Sequence, residues 1–130
     1  MATATRDDLQ AAHRFLDALA TLDWDALRAC FTPDARLRAL VPTTLREEEG
    51  PDAIIDRLRY WFGELEDFRL LESGVEELID RVNVRYRLAG TDPDDGPIVV
   101  EQQCYFAIDD GRIAVIDSVC SGPRPAELER

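Results

Sequence analysis

The stretch from Pro97 to Gly122 constrains this chain more than any other. It reads PIVVEQQCYFAI, then Asp109-Asp110-Gly111, then RIAVIDSVCSG. Two apolar, β-branched runs around an Asp-Gly signal predict a β-hairpin. A three-residue loop with a left-handed Gly111 pairs Ile108 with Arg112, Phe106 with Ala114, Cys104 with Ile116, Gln102 with Ser118 and Val100 with Cys120. A two-residue Asp110-Gly111 turn would shift that register. The three-residue reading is preferred because it holds Ile98, Val100, Cys104, Phe106 and Ile108 on one buried side. The other side then carries Glu101, Gln103, Tyr105, Ala107, Ile113, Val115, Asp117 and Val119.

The rest of the chain supplies what such a hairpin needs to bury that side. Leu9, Ala12, Leu16 and Leu19 recur at helical spacing over 6–20, with Phe15 beside them. Asp23 caps a second, shorter helix with Trp24, Leu27 and Phe31 inward, ended by Thr32-Pro33-Asp34. Ala35, Leu37, Ala39 and Val41 alternate with Arg36 and Arg38, which predicts a short, half-buried strand over 35–41. Residues 42–50 read as a polar loop holding Arg46 and Glu47-Glu48-Glu49, placed at the mouth of the interior and either simply solvated or gating entry. Pro51 opens a third helix whose stripe is Ile54, Leu58, Trp61 or Phe62, and Leu65. Strands are expected at about 67–78, 81–90, 97–109 and 112–121, with residues 91–97 as a loop. In the second of these, Val82, Val84, Tyr86 and Leu88 face one way and Arg81, Asn83, Arg85 and Arg87 the other.

The predicted order is ααβαββββ in one α+β domain over 1–130, with helices packed on one face of the sheet. A chain of 130 residues, 45% of them hydrophobic, can build such a core. The formal net charge is -12, and all fifteen basic residues are arginine, a sign of a GC-rich genome. An acidic chain is repelled by phosphate backbones and anionic membranes, so neither nucleic acid nor a membrane is an expected partner. No apolar run is long enough to span a bilayer, and MATATRDDLQ lacks the features of a signal peptide, so a soluble cytoplasmic protein is expected. Cys30, Cys104 and Cys120 do not read as a disulfide framework. With His13 the sole histidine, neither a metal site nor a cofactor is expected.

Four stretches, FLDALATLDWDALRACFTPDARL, GPDAIIDRL, DRVNVRYRLAGT and FAIDDGRIAVID, taken in this order and spacing, resemble the NTF2-like superfamily, and within it the SnoaL-like and ketosteroid-isomerase-like branches. The resemblance covers about residues 8–121. It implies a curved antiparallel or mixed sheet wrapped by three helices into a cone, a cystatin-like roll with a cavity open at one end, and frequent dimers. It also implies which catalytic groups to look for. Isomerase relatives carry a hydroxyl donor on the first helix, where this chain has Phe15, and a base on the first strand, where it has Ala39. Their protonated carboxylic acid falls at about Cys104. Those three groups are missing, so isomerase-type proton transfer is not expected. Cyclase and epoxide-hydrolase relatives use carboxylates on the last strands. Here Ser118 is the inward residue, and Asp117 turns inward only if the register slips.

The expected ligand-binding set is Phe15, Ala39, Leu58, Trp61, Val84, Tyr86, Gln102, Cys104, Phe106, Ile116, Ser118 and Cys120. A mainly apolar lining with few polar groups suits a small hydrophobic molecule, although the same stripes also suit plain core packing. Gln102 and Ser118 either orient a ligand carbonyl or hydroxyl or satisfy each other. Tyr86 is a potential donor, Cys104 and Cys120 read as small buried hydrophobes, and His13 turns away from the pocket side. No catalytic residue is assigned. Two functions remain open: a pocket protein of the polyketide cyclase, isomerase or hydrolase type lacking the usual carboxylates, or a non-catalytic dimeric binding or assembly module. The outer-face set Tyr105, Ala107, Ile113, Val115 and Val119, with Gln103 and Asp117, is the expected homodimer surface.

Overall fold

The structure, a computed structural model, describes residues 6–126. The first five residues, part of the stretch read above for a signal peptide, lie outside it. Three helices, α1 (Arg6–Ala20), α2 (Trp24–Ala29) and α3 (Pro51–Phe62), pack on a seven-stranded sheet. The strands are β1 (Phe31–Val41), β2 (Thr44–Glu49), β3 (Glu66–Leu78), β4 (Arg81–Asp92), β5 (Gly96–Asp109), β6 (Arg112–Cys120) and β7 (Arg124–Pro125). The sheet runs β2-β1-β6-β5-β4-β3, with β7 added to β5 at Ile98 and Val99, beyond the end of β6. Only β1 and β6 run parallel; the other pairs are antiparallel. This is the expected α+β class, a curved and unclosed mixed sheet covered by three helices. Its order is ααββαβββββ, two strands more than the sequence pattern suggested.

The helices form for the reasons their patterns gave. The amphipathic α1 buries Ala11, Ala12, Phe15, Leu16, Ala18 and Leu19. The Asp23 side chain caps α2 by accepting from the Ala26 N–H at 3.1 Å. Pro51 occupies the first turn of α3, where its missing N–H costs nothing. Gly50, at φ 87°, turns the chain out of β2 into that helix and donates to the Ala35 carbonyl at 2.7 Å. On α3 it is Phe62, not Trp61, that is fully buried.

Two strand boundaries differ from the sequence reading. Thr32-Pro33-Asp34 does not end α2 in a turn, because β1 already begins at Phe31. The three residues form an irregularity between the Phe31 and Arg36 pairings, where a proline without an N–H is tolerated. Residues 44–49 are a strand rather than a loop, hydrogen-bonded to β1 through a tight turn at Pro42-Thr43. β2 is a sheet edge with only Glu48 even half-buried, so it has no apolar alternation to announce it. The loop expected over 91–97 shrinks to three residues, Pro93 to Asp95, because β4 and β5 extend toward each other.

The hairpin register also differs. Asp110 and Gly111 both take positive φ, 51° and 79°, so the turn is the two-residue type I′ form that Asp-Gly favours. Asp109 pairs with Arg112 and Ile108 with Ile113, and a bulge at Ala114 then moves Ala107 opposite Val115. Turn and bulge together offset the expected pairing by two residues. Because side-chain direction has period two, the faces survive the offset while the partners change. Gln102 lies opposite Cys120, and Ser118 opposite Cys104. Ile113 is the exception: it sits before the bulge, turns inward and is fully buried, so it leaves the outer-face set.

Candidate functional site

The concave face is best described by rows crossing the strands. One row runs Val82, Phe106, Ile116, Leu37, Glu48 from β4 to β2. The next runs Val84, Cys104, Ser118, Ala39, Arg46. A third runs Tyr86, Gln102, Cys120, and a fourth Leu88, Val100. From Val82 to Leu37 the first row is plain core. Phe106 meets Phe15 of α1 edge-on at 5.1 Å, and Phe15 meets Phe31 the same way at 6.3 Å.

The second and third rows gather the polar tips at the centre of the face: Tyr86, Gln102, Cys104, Ser118 and Cys120. Gln102 is 4% exposed and Ser118 6%. Gln102 Nε2 and Ser118 Oγ have no hydrogen-bond partner among protein groups. The mutual Gln102–Ser118 bond is therefore not made, since the register sets the two side chains diagonally. The Cys104 thiol lies 3.8 Å from Gln102 Oε1 as a weak donor, which leaves the amide N–H groups free. An unpaired buried polar group costs about 1–3 kcal/mol, so these two atoms on adjacent rows are open to a bond from a water or a ligand.

The electrostatics of this patch are those of a neutral site. Burial pushes the Tyr86 hydroxyl well above its usual range, and the neighbouring Cys104 and Cys120 thiols reinforce the shift. Burial, then Cys120, raises the Cys104 thiol in the same direction. Burial raises Cys120 as well, offset in part by the Gly122 N–H donated to its sulfur at 3.4 Å. At neutral pH these groups are uncharged donors, not bases or nucleophiles.

Ten of the expected lining residues are buried inside the roll: Phe15, Ala39, Leu58, Val84, Tyr86, Gln102, Cys104, Phe106, Ile116 and Ser118. Trp61 and Cys120 are only partly buried against the same core. Asp117 is exposed on the convex face, opposite Tyr105 and beside Arg38, so the register does not bring it inward. His13 is exposed on α1. No carboxylate or imidazole is found among the buried side chains of the four rows. Among the described residues, no group of three His, Cys, Asp or Glu side chains is placed to hold a metal ion, and no helix is long and apolar enough to cross a membrane.

The sequence reading puts Arg46 and Glu47-Glu48-Glu49 at the mouth of the site, but in a loop and without the pair that Glu48 makes. Glu48 and Arg57 pair at 2.9 Å, both only about one-fifth exposed, and the Arg57 guanidinium lies 5.9 Å from the Trp61 ring. The one available signal was the position of Arg46 and Glu48 two residues apart, which puts both on one side of a strand.

Comparison with solved structures places the architecture. A provisionally assigned ketosteroid isomerase from Kribbella flavida superposes with a TM-score of 0.70 at 17% identity, over 98% of this chain and 89% of that one. An NTF2-like protein of unknown function from Burkholderia pseudomallei gives 0.71 at 17%, over 95% of each chain. A provisionally assigned polyketide cyclase from Xanthomonas campestris gives 0.67 at 21%, over 85% and 90%. At such identities the likeness is one of fold. No curated protein matches the chain. The SnoaL-like domain family matches residues 12–116, from α1 to the middle of β6, and with the roll described above this shows that the chain belongs to the SnoaL-like branch of the NTF2-like proteins.

Proposed function

We propose that the protein binds a small, largely apolar molecule inside the roll, and that Gln102 Nε2 and Ser118 Oγ hold a hydrogen-bond acceptor on it, such as a carbonyl oxygen. The observation that carries this reading is the pair of unpartnered polar atoms on adjacent rows of a buried apolar face. Tyr86, beside Gln102 on β4, adds a third donor. The neutral donor set favours holding and polarising a ligand over proton abstraction, so a cyclase-like or isomerase-like reaction here would rest on positioning. Titration with acetophenone and naphthyl ketones, read by Trp61 fluorescence and thermal shift, tests it. Saturable binding that raises the melting temperature and is lost in Gln102→Leu/Ser118→Ala is the expected result. Unsaturable or unchanged binding in that variant sinks the reading.

A second reading, assembly as a homodimer, is favoured by a different observation. Leu45, Leu40 and Val119 form one continuous row on the convex face, at 44%, 51% and 54% exposure. Tyr105 lies one row away at 38%. Arg38 and Asp117 stand side by side there, so a two-fold copy can set each against the other's counterpart. A monomer by sedimentation at micromolar concentration would remove this reading. Dissociation on Leu40→Glu would support it.

A further inference from the structure

We propose that the bound molecule is an acid whose carboxylate stays at the rim against Arg46 while its neutral acceptor reaches Ser118 and Gln102. This rests on the interior pocket and adds the ligand's second functional group. Arg46 lies on the same row as the unpartnered Ser118 hydroxyl, with Ala39 alone between them. Strands sit about 4.8 Å apart, so the two backbones are about 10 Å apart, and the intervening side chain is a methyl group.

The direction of Arg46 follows from its neighbour. Glu48 reaches the α3 side of the sheet, where it pairs with Arg57, and residues two apart on a strand point the same way. The chain folds back at Gly50, so that Glu48 of β2 meets Arg57 of α3 at 2.9 Å. Two residues back along the strand is about 6.6 Å and one helical turn is about 6 Å, which puts Arg46 at the level of Trp61. Arg57 at this rim is neutralised by Glu48, and Arg38, Arg85 and Arg87 elsewhere on the sheet also have carboxylate partners. Arg46 has none among the described residues; Arg36, Arg69 and Arg112 share that, but Arg46 is the one on the row of Ser118.

The absence of a cation among the buried residues fixes the ligand's orientation. A carboxylate cannot enter the rows around Gln102 without an unmatched desolvation cost, but at the rim it can accept both N–H groups of a guanidinium. The class that satisfies both ends is a small aromatic or alicyclic oxo-acid, its two groups about 8 Å apart.

Calorimetric titration of the full chain with 4-acetylbenzoate and its methyl ester tests this, in the native protein and in Arg46→Gln. The acid should bind about tenfold more tightly than the ester, and Arg46→Gln should abolish that advantage without changing ester affinity. Arg46→Lys should keep part of it, and added salt should shrink it. Ester binding with no preference for the acid, or an equal loss of both ligands in Arg46→Gln, would overturn the rim site and leave the pocket intact. Failure of both probes and of the neutral ketones would remove the pocket and the rim site together.

Discussion

The two faces of the sheet are drawn from alternate residues of the same strands, yet they treat polar groups in opposite ways. On the convex face the central charges are answered. Arg87 meets Glu101 at 2.7 Å and Glu72 at 3.5 Å, and Arg85 meets Glu76 at 3.0 Å. Water would have solvated those groups anyway, so the pairs add little stability. On the concave face, where each missing hydrogen bond is expensive, Gln102 and Ser118 go unanswered. The contrast separates groups that add little to the fold from groups that cost it. Packing of Phe15, Val82, Phe106 and Ile116 stabilises the roll, and the neighbouring rows carry two unpaired polar atoms that work against it.

That contrast can be broken in four places. The largest effect belongs to the apolar row: Phe106→Ala should cost about 3–5 kcal/mol, read as a fall in the urea midpoint. A loss under 1 kcal/mol would mean that the row is not the core. The second is alkaline pH. Cys104 is raised from an ordinary value of 9.0, so its contribution is complete below pH 9 and is lost as pH climbs from there through the folded-state value. Stability should fall by about 1.4 kcal/mol per pH unit for each such group, and Cys104→Ala should flatten the slope. Third, Gln102→Leu with Ser118→Ala should leave the free protein unchanged or about 1 kcal/mol more stable, because it removes orphans rather than bonds. A clear destabilisation would show that these side chains support the fold. Smallest is Arg87→Ala on the convex face, expected to cost less than about 1 kcal/mol and to matter less at high salt.

The parts of the molecule legible in its sequence are those with one wet and one dry side. The α1 stripe, the capped α2, Pro51 at the start of α3 and the Val82–Leu88 alternation all became the elements they announced. β2 has no buried face, so its sequence carries no period and reads as a loop. The hairpin pairing was missed because a three-residue turn and a two-residue turn with a later bulge use the same Asp-Asp-Gly signal. Faces depend only on odd or even position, so an error of two kept Gln102, Cys104, Ser118 and Cys120 together while exchanging their partners. Ile113 lies between turn and bulge and was the residue to change sides. Arg46 was legible as a residue near the mouth, but not its direction, which follows from β2 being a strand.

An open sheet also has consequences for how such molecules behave in a crowd. The two free edges are β2 and β3, and any unpaired strand is a template for a strand of another molecule. β2 offers Glu47, Glu48 and Glu49 to such a visitor, and β3 offers Glu66, Asp67, Glu72, Glu76 and Glu77. Identical chains meeting edge to edge would bring these carboxylates together and repel. The carboxylates of Glu49, Glu66, Asp67 and Glu77 have no arginine partner among the described residues, and their charge along the open edges works against pairing with a second copy.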